Sequence, residues 1–174
     1  MTSAEQDLRR QLKEAHMSRA MVYAAFYEAL AERFGADVAE EVMKRAIYRR
    51  GREIGERFAG YGPDDLAGLC AAFLDFVPDR GRLFQPEVRR ADAAALDIDA
   101  AALDIKFRAC PLKEAWQAAG LPEERIATLC RIAGVVDNGT FEAAGFAFSA
   151  ETWQPGEDGC CFLHVRPGKL RPAP

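Results

Sequence analysis

The hydrophobic pattern changes its period at Leu103, and this change constrains the fold more than any other feature of the sequence. Up to about residue 77, apolar residues recur every three or four positions, which predicts amphipathic helices. From Leu103 to Ala109, apolar and polar residues alternate strictly, which predicts a half-buried strand. The sequence therefore predicts an α+β fold, in which long N-terminal helices pack on a small antiparallel sheet with further short helices.

Three helices are predicted in the first half, over residues 3–34, 37–59 and 64–77. We assign Leu8, Val22 and Phe26 to the apolar stripe of the first helix, and His16 to its exposed surface. In the second helix, Gly51 and Gly55 each cost roughly 1 kcal/mol relative to Ala. Close packing of another backbone, or the approach of a ligand, must offset that cost.

The second half combines two shorter helices with a hairpin. The helices are predicted from Pro111 to Ala119 and from residue 121 to about Val136, where the Asp137-Asn138-Gly139 run predicts a stop and a turn. Two strands follow, over residues 146–153 and 160–166, joined by a glycine- and proline-containing loop. We expect a single domain over residues 1–166, and a disordered tail over the proline-rich residues 167–174.

Charge and cysteine content exclude several classes of protein. The 174 residues include 23 Lys and Arg against 27 Asp and Glu, a net charge of −4 that argues against nucleic acid as a partner. No apolar run approaches the ~18 residues of a membrane helix, and the N-terminus shows no signal-peptide core. Five cysteines, an odd number, predict free thiols rather than a disulfide framework. We therefore expect a cytoplasmic protein with no membrane partner.

Cys110 is the first candidate for chemistry, because the predicted strand delivers it to the start of the helix that begins at Pro111. A thiol at this N-cap faces unpaired backbone N–H groups and the positive end of the helix dipole, which favour the thiolate. Such a thiolate can act as a nucleophile or as a metal ligand. Arg108, on the same strand face, strengthens the effect. The alternative is a thiol that only caps the helix.

The other cysteines and His164 give further candidates. Cys130 lies on a predicted helix, in register with core residues. Cys160 and Cys161 are predicted to begin the last strand and to point to opposite faces, so that only one can share a site with Cys110. His164 lies on the Cys160 face. A metal is not required, although zinc or iron held by Cys110, Cys130 and Cys160 is an alternative.

Acidic and aromatic residues complete the candidate site. Asp137 and Glu151 can each serve as a general base for water or contact a substrate, although charged residues are often only solvated. Trp116 and Trp153 can form the walls of a small-molecule pocket, although core packing is their commoner role.

The second half resembles the L-2-amino-thiazoline-4-carboxylic acid hydrolase family. The resemblance is carried by Cys110-Pro111 with Trp116 and Gly120, by Leu129-Cys130, and by Gly159-Cys160 with Phe162. It implies a fold similar to vinyl-reductase-type ligand-binding domains, and an activity that opens a thiazoline ring to an N-carbamoyl cysteine. Where the family often has Asp, this chain has Ala133 and Cys161; Asp137, one turn beyond Ala133, can replace the first.

These observations lead to two hypotheses for a protein with a small-molecule partner, beside a third in which the chain is a structural or interaction protein and its cysteines are packing residues. The leading one is a hydrolase that opens a small cyclic C–N or C–S compound, attacked by the Cys110 thiolate or by an activated water. Arg108 would then bind a substrate carboxylate, and Cys130, Cys160 and His164 would complete a catalytic pocket. The alternative is a non-enzymatic sensor or carrier resembling the vinyl-reductase domain. Tyr23 and Tyr27 add apolar area to the first helix, which leaves two alternatives: a homodimer through this helix, or coverage of the helix by its own chain.

Overall fold

The computed structural model describes residues 2–91 and 102–168. Residues 169–174, most of the tail predicted to be disordered, lie outside the described residues. The helices are α1 (Ser3–Phe34), α2 (Ala36–Gly55), α3 (Leu66–Phe76), α4 (Pro111–Ala118) and α5 (Glu123–Ala143), with 3-10 segments at Glu56–Tyr61 and Pro78–Gly81. The strands are β1 (Pro86–Ala91), β2 (Ala102–Phe107), β3 (Ala147–Glu151) and β4 (Phe162–Arg166). The predicted α+β class is confirmed.

The four strands form one antiparallel sheet in the order β1-β2-β4-β3. In β2, the side chains of Leu103, Ile105 and Phe107 are buried, as the alternation predicts. Leu103 lies opposite Val165, and Ile105 lies opposite Leu163, so one face of the sheet is apolar. The predicted hairpin is also confirmed, because β3 pairs with β4.

Two hydrophobic cores lie on either side of Cys110. One core joins α3 and the apolar sheet face, with Leu69, Phe73 and Phe141 near its centre. The other joins α1, α2, α4 and α5 around Trp116. Cys110 is half-buried and packs against both cores. The strand-to-helix connection at Cys110 therefore lies at the junction of the sheet and the helices.

Helices α2 and α5 cross at glycines, which allow their backbones to approach closely. A Cβ on Gly51 would overlap the carbonyl oxygen of Val136, and one on Gly55 would overlap that of Thr140. Backbone packing therefore explains these two glycines, as one of our two interpretations predicts. The stop predicted at Asp137-Asn138-Gly139 is wrong, since α5 continues to Ala143. Gly139 packs on the backbone of α2 instead of forming a turn.

The face of α1 that packs inward differs from the predicted stripe. Leu8, Val22 and Phe26 are 67%, 50% and 62% exposed. The buried face carries His16, Ala20, Ala24 and Tyr27. Small residues permit close approach of α4, whose Trp116 donates a hydrogen bond from Nε1 to the Ala20 carbonyl at 2.8 Å. The surface position predicted for His16 is therefore wrong, and Tyr27 is not available to a second copy.

None of the helices in the described part of the chain has both the length and the hydropathy needed to cross a bilayer.

Candidate functional site

A cavity of about 380 Å³ lies where the two cores meet. Most of its wall is apolar, and comes from the following residues: Ile47, Ile54, Phe73, Phe76, Val77, Pro78, Phe84, Phe107, Leu112, Trp116, Ala133, Gly134 and Val136. Its polar wall comes from a smaller set: His16, Arg19, Tyr23, Arg50, Cys110, Cys130, Asp137, Thr140, Cys160 and Cys161. This volume and this mixture of many apolar and few polar groups are typical of a small-molecule site.

Cys110 occupies the N-cap of α4, with an extended backbone (φ −151°, ψ 113°) and Pro111 at the first helical position. A side-chain hydrogen bond with Cys160 lowers the pKa of Cys110 to about 7, against the opposing effect of burial. The backbone N–H groups of Lys113 and Leu112, at the N-terminus of α4, lower this pKa further. The N-cap prediction is confirmed, and the surroundings of Cys110 favour its thiolate.

Cys160 and Cys161 both face the cavity. The prediction that only one of them could join Cys110 is wrong, because β4 begins at Phe162 and the two cysteines precede it, where side chains need not alternate. The Cys160 N–H donates to the Phe107 carbonyl at 2.9 Å, and the Phe107 N–H donates to the Cys161 carbonyl at 2.9 Å. These bonds hold both thiols beside the end of β2.

Two lysines hold the segment that contains Cys160 through its backbone carbonyls. The Lys106 ammonium donates to the Cys160 carbonyl at 2.8 Å, and the buried Lys113 donates to the Gly159 carbonyl. The hydrogen bond with Cys110 raises the pKa of Cys160, and burial raises that of Cys161 to about 12. Both therefore remain neutral thiols, and the Cys160 thiol donates its hydrogen bond to the Cys110 thiolate.

Helix α5 contributes Cys130 and Asp137, about two helical turns apart. Burial raises the pKa of Cys130, so this thiol stays protonated. Burial, followed by the nearby charge of Cys110, raises the pKa of Asp137 to about 7. No residue in the described parts of the chain hydrogen-bonds to the Asp137 carboxyl, which faces the cavity. Thus a thiol and a carboxyl that both titrate near neutrality face one cavity.

The structure also places Trp116 and Trp153, which sequence analysis grouped as wall residues. Trp116 lines the cavity. Trp153 is buried in the helical core, where its Nε1 donates to the Glu157 carbonyl at 2.8 Å and the Lys113 ammonium lies 5.0 Å from its ring centre. Glu151 points to solvent from the outer sheet face, with 74% of its side chain exposed.

His164 lies on the opposite side of the sheet from the cavity. Its Nδ1 lies 2.9 Å from Asp104 Oδ1 and its Nε2 lies 3.2 Å from Glu151 Oε1. Arg166 contacts the same Asp104 oxygen at 2.7 Å. Burial favours protonation of Asp104, but the bonds from Arg166 and His164 outweigh it and lower its pKa. These residues form an ion-pair network apart from Cys110.

Arg108 is also outside the cavity lining. It is exposed and forms an ion pair with Glu87 at 2.6 Å. The cavity therefore brings together five of the nine candidates, namely Cys110, Trp116, Cys130, Asp137 and Cys160. It does not include Arg108, Glu151, Trp153 or His164.

Sequence analysis missed six polar or sulfur-bearing cavity residues, namely His16, Arg19, Tyr23, Arg50, Thr140 and Cys161. Three of them lie on α1, where the alanines at 20 and 24, four residues apart, mark the packed face. Since His16 lies one turn before Ala20, this spacing of small residues was the signal that could have located it. For Cys161, no local signal in the sequence was available, because its direction depends on the residue at which β4 begins.

Cys110, Cys130 and Cys160 all contribute to the cavity wall, as a metal site through them would require. Within residues 2–91 and 102–168, however, no three His, Cys, Asp or Glu side chains are grouped so that they could hold a metal ion.

The family model described as L-2-amino-thiazoline-4-carboxylic acid hydrolase matches residues 14–164, which include every cavity residue. The chain belongs to the L-2-amino-thiazoline-4-carboxylic acid hydrolase family. The family is named for a hydrolase. No curated protein matches the sequence.

One solved structure similar to this hydrolase-family chain is the phenol-responsive sensory domain of the transcription activator PoxR, crystallised with phenol. The two chains are 15% identical, with a TM-score of 0.57, and the match covers 84% of this chain and 73% of that one. At this identity, the likeness shows a common fold and does not assign an activity.

Proposed function

We propose that this chain is a hydrolase that opens a small ring whose carbon is bonded to nitrogen and sulfur. Cys110 is the nucleophile, and Asp137 moves the proton. One observation carries the proposal: a thiol and a carboxyl, each with a pKa of about 7, face the same largely apolar cavity. Paired groups that titrate near the working pH suit nucleophilic attack combined with proton transfer. The family name supports the hydrolase class.

In the first step of this proposal, the Cys110 thiolate bonds to the ring carbon that carries two nitrogens and the sulfur. The ring carbon–sulfur bond breaks, and the leaving sulfur takes the proton of Asp137. The carbon, still bonded to both nitrogens, is then attached to Cys110. Burial favours the protonated carboxyl at the start, so Asp137 is suited to act as the acid.

In the second step, water attacks the same carbon while the Asp137 carboxylate takes one of its protons. The bond between the carbon and Cys110 breaks, and Cys110 leaves as the thiolate. The second proton of the water passes to the former ring nitrogen, so the product carries a carbonyl between two nitrogens and a free thiol, and one water is consumed. The depressed pKa of Cys110 also makes it a good leaving group here.

A non-enzymatic ligand-binding role is the second candidate. It is supported by the apolar wall of the cavity and by the fold shared with a sensory domain whose crystal contains phenol. In this role, Cys110 and Asp137 would bind a ligand that is released unchanged.

The test uses the full chain with L-2-amino-thiazoline-4-carboxylate and follows the appearance of a free thiol in the product. We expect Cys110→Ser to lose turnover by at least about 100-fold, and Asp137→Asn by about 100-fold, a typical loss for a general acid–base group. Cys70→Ala, a cysteine in the sheet-side core outside the cavity, is the matched control and should keep its rate.

Two outcomes would count against this assignment. Full activity in Cys110→Ser would show that water, not the thiol, is the nucleophile. Binding of the compound without product formation by the unmodified protein would favour the non-enzymatic role instead.

A further inference from the structure

The cavity is larger than a single small ring requires. An apolar cavity of about 150 Å³ can hold one benzene molecule. The volume of about 380 Å³ therefore leaves room for two to three rings. A lone five-membered ring would leave much of the apolar wall without a contact, which a protein interior disfavours.

The cavity is lined by aromatic side chains from three separate elements. Phe73 comes from α3, Phe84 from the turn before β1, and Phe107 from the end of β2. The centres of the Phe84 and Phe107 rings lie 5.3 Å apart, and the two rings are tilted relative to each other. This contact holds both rings in place. Such a wall favours a flat aromatic or similarly bulky apolar group.

One edge of the cavity, formed by α1, is polar and carries a positive charge without a counter-ion. Arg19 lines this edge and forms no ion pair with any residue in the described ranges. Tyr23 lies one turn further along α1; burial raises the pKa of its hydroxyl, and the charge of Arg19 opposes the rise. Arg50, across the cavity, is instead paired with Glu53 at 2.8 Å.

His16 adds a hydrogen-bonding nitrogen at the same edge. It is buried, and its Nδ1 lies 2.9 Å from the Leu12 carbonyl oxygen. Since that oxygen only accepts, Nδ1 donates this hydrogen bond, and Nε2 takes no part in it. Among the described residues, no fully buried side-chain nitrogen lacks a partner. Since His16 lines the cavity, Nε2 faces its open space. An unpaired guanidinium and a ring nitrogen thus adjoin the aromatic wall.

We infer that the cavity selects an anionic compound that carries an aromatic or equally bulky apolar group, with the anion against Arg19 and the apolar group among Phe73, Phe84 and Phe107. A guanidinium binds a carboxylate through two parallel hydrogen bonds, which suits this edge. Arg108, the carboxylate-binding residue expected from the sequence, is already paired with Glu87. Only the placement of a reacting carbon at Cys110 rests on the proposed function.

Three probes separate charge from size: 2-naphthoate, its neutral counterpart 2-naphthamide, and the single-ring benzoate. Binding to the full chain is measured by calorimetry, and by protection of Cys110 from iodoacetamide. We expect 2-naphthoate to bind about tenfold more tightly than benzoate, because a second ring is buried. It should bind about fivefold more tightly than 2-naphthamide, because of the charge.

Arg19→Gln should remove the preference for 2-naphthoate over 2-naphthamide. Arg33→Gln, in the last turn of the same helix and outside the cavity lining, is the matched control and should keep the preference. Equal binding of 2-naphthoate and benzoate would overturn the size argument. An unchanged preference in Arg19→Gln would overturn the role of Arg19.

Calorimetry with the same three probes on Cys110→Ser separates this inference from the proposed function. If no ring is hydrolysed but the binding pattern is present in both proteins, the hydrolase proposal fails and this inference stands. If the thiazoline compound is hydrolysed but 2-naphthoate does not bind, this inference alone fails.

Discussion

The thiol of Cys160 hydrogen-bonds to Cys110, and this contact lowers the pKa of Cys110 more than any other group does. The two residues lie 50 positions apart in the sequence, at the end of β2 and before β4. A thiolate is stabilised by each hydrogen bond that it accepts. The position of Cys160 therefore controls how much of Cys110 is ionised near neutral pH.

Replacing Cys160 with Ala should raise the pKa of Cys110 from about 7 to above the ~8.5 of a free thiol. Burial raises this pKa, and the variant lacks the hydrogen bond from Cys160 that opposes the rise most strongly. The rate of Cys110 alkylation by iodoacetamide, measured against pH and mapped by mass spectrometry, reports this midpoint. Cys161→Ala removes the adjacent thiol and should leave the midpoint near 7. A midpoint that stays near 7 in Cys160→Ala would mean that the α4 N-terminus alone sets the pKa.

Asp137 makes the folded protein less stable as the pH rises. Its pKa is about 7 in the folded protein and near 4 in an unfolded chain. Because the folded state binds the proton more tightly, stability that is present at pH 4 is lost as the pH rises through 7, by at most about 4 kcal/mol. Asp137→Asn, which is neutral at every pH, should avoid this loss.

Urea unfolding at pH 5, 6, 7 and 8 measures the effect. The stability advantage of Asp137→Asn over the unmodified protein should grow across this series. Asp64→Asn, at an exposed position, is the control and should show no such trend. An advantage of Asp137→Asn that is independent of pH would contradict the raised pKa.

The crossing of α2 and α5 should not tolerate a methyl group. Gly51→Ala would place a Cβ against the Val136 carbonyl oxygen, so we expect a loss of about 3 kcal/mol in the free energy of unfolding. Gly60→Ala, where a Cβ meets nothing within 4 Å, is the matched control. Thermal unfolding of both variants makes the comparison. Equal stability would show that the two helices can separate without cost.

An ion pair joins the same two helices, α2 and α5. Arg131 donates from Nε and Nη2 to the two oxygens of Glu40, each at 3.0 Å. These bonds lower the pKa of Glu40 to about 2, against an ordinary value near 4.3. The stabilisation is therefore complete above that ordinary value and is lost as the pH falls through 2.

Glu40→Gln should destabilise the protein by about 1 to 2 kcal/mol at pH 7, allowing for solvent screening of the 38% exposed Arg131 side chain. Chemical unfolding between pH 7 and pH 2 should show the difference shrinking as Glu40 takes up its proton. Glu41→Gln, at the exposed neighbouring position, should change stability little. A constant difference across this range would rule out a contribution from the charge.

Local patterns predicted those features that depend on neighbours in the sequence. The alternation through Leu103, Ile105 and Phe107 located β2, because a strand with one buried face has a period of two. Pro111 located the N-cap at Cys110, because proline favours the first position of a helix. Neither conclusion required knowledge of which elements pack together.

Local patterns failed where packing decides between two local possibilities. Apolar residues lie on more than one side of α1, so composition could not show that Ala20 and Ala24, rather than Val22 and Phe26, face inward. Gly139 fits a helix stop as well as a close helix crossing, and only the position of α2 distinguishes them. Alternation placed His164 on the Cys160 face, but β4 begins only at Phe162, so Cys160 faces the cavity while His164 lies on the outer face of the sheet.

The sequence by itself determined the α+β class, the hairpin and the exposure of Cys110 to a helix N-terminus, because periodicity and capping act over a few residues. The tertiary structure alone decided that Cys110, Cys160, Cys161 and Asp137 meet in one cavity with α1 along its edge. That convergence depends on contacts between residues far apart in the chain, where the crossing of helices and the start of a strand set which side chains face each other.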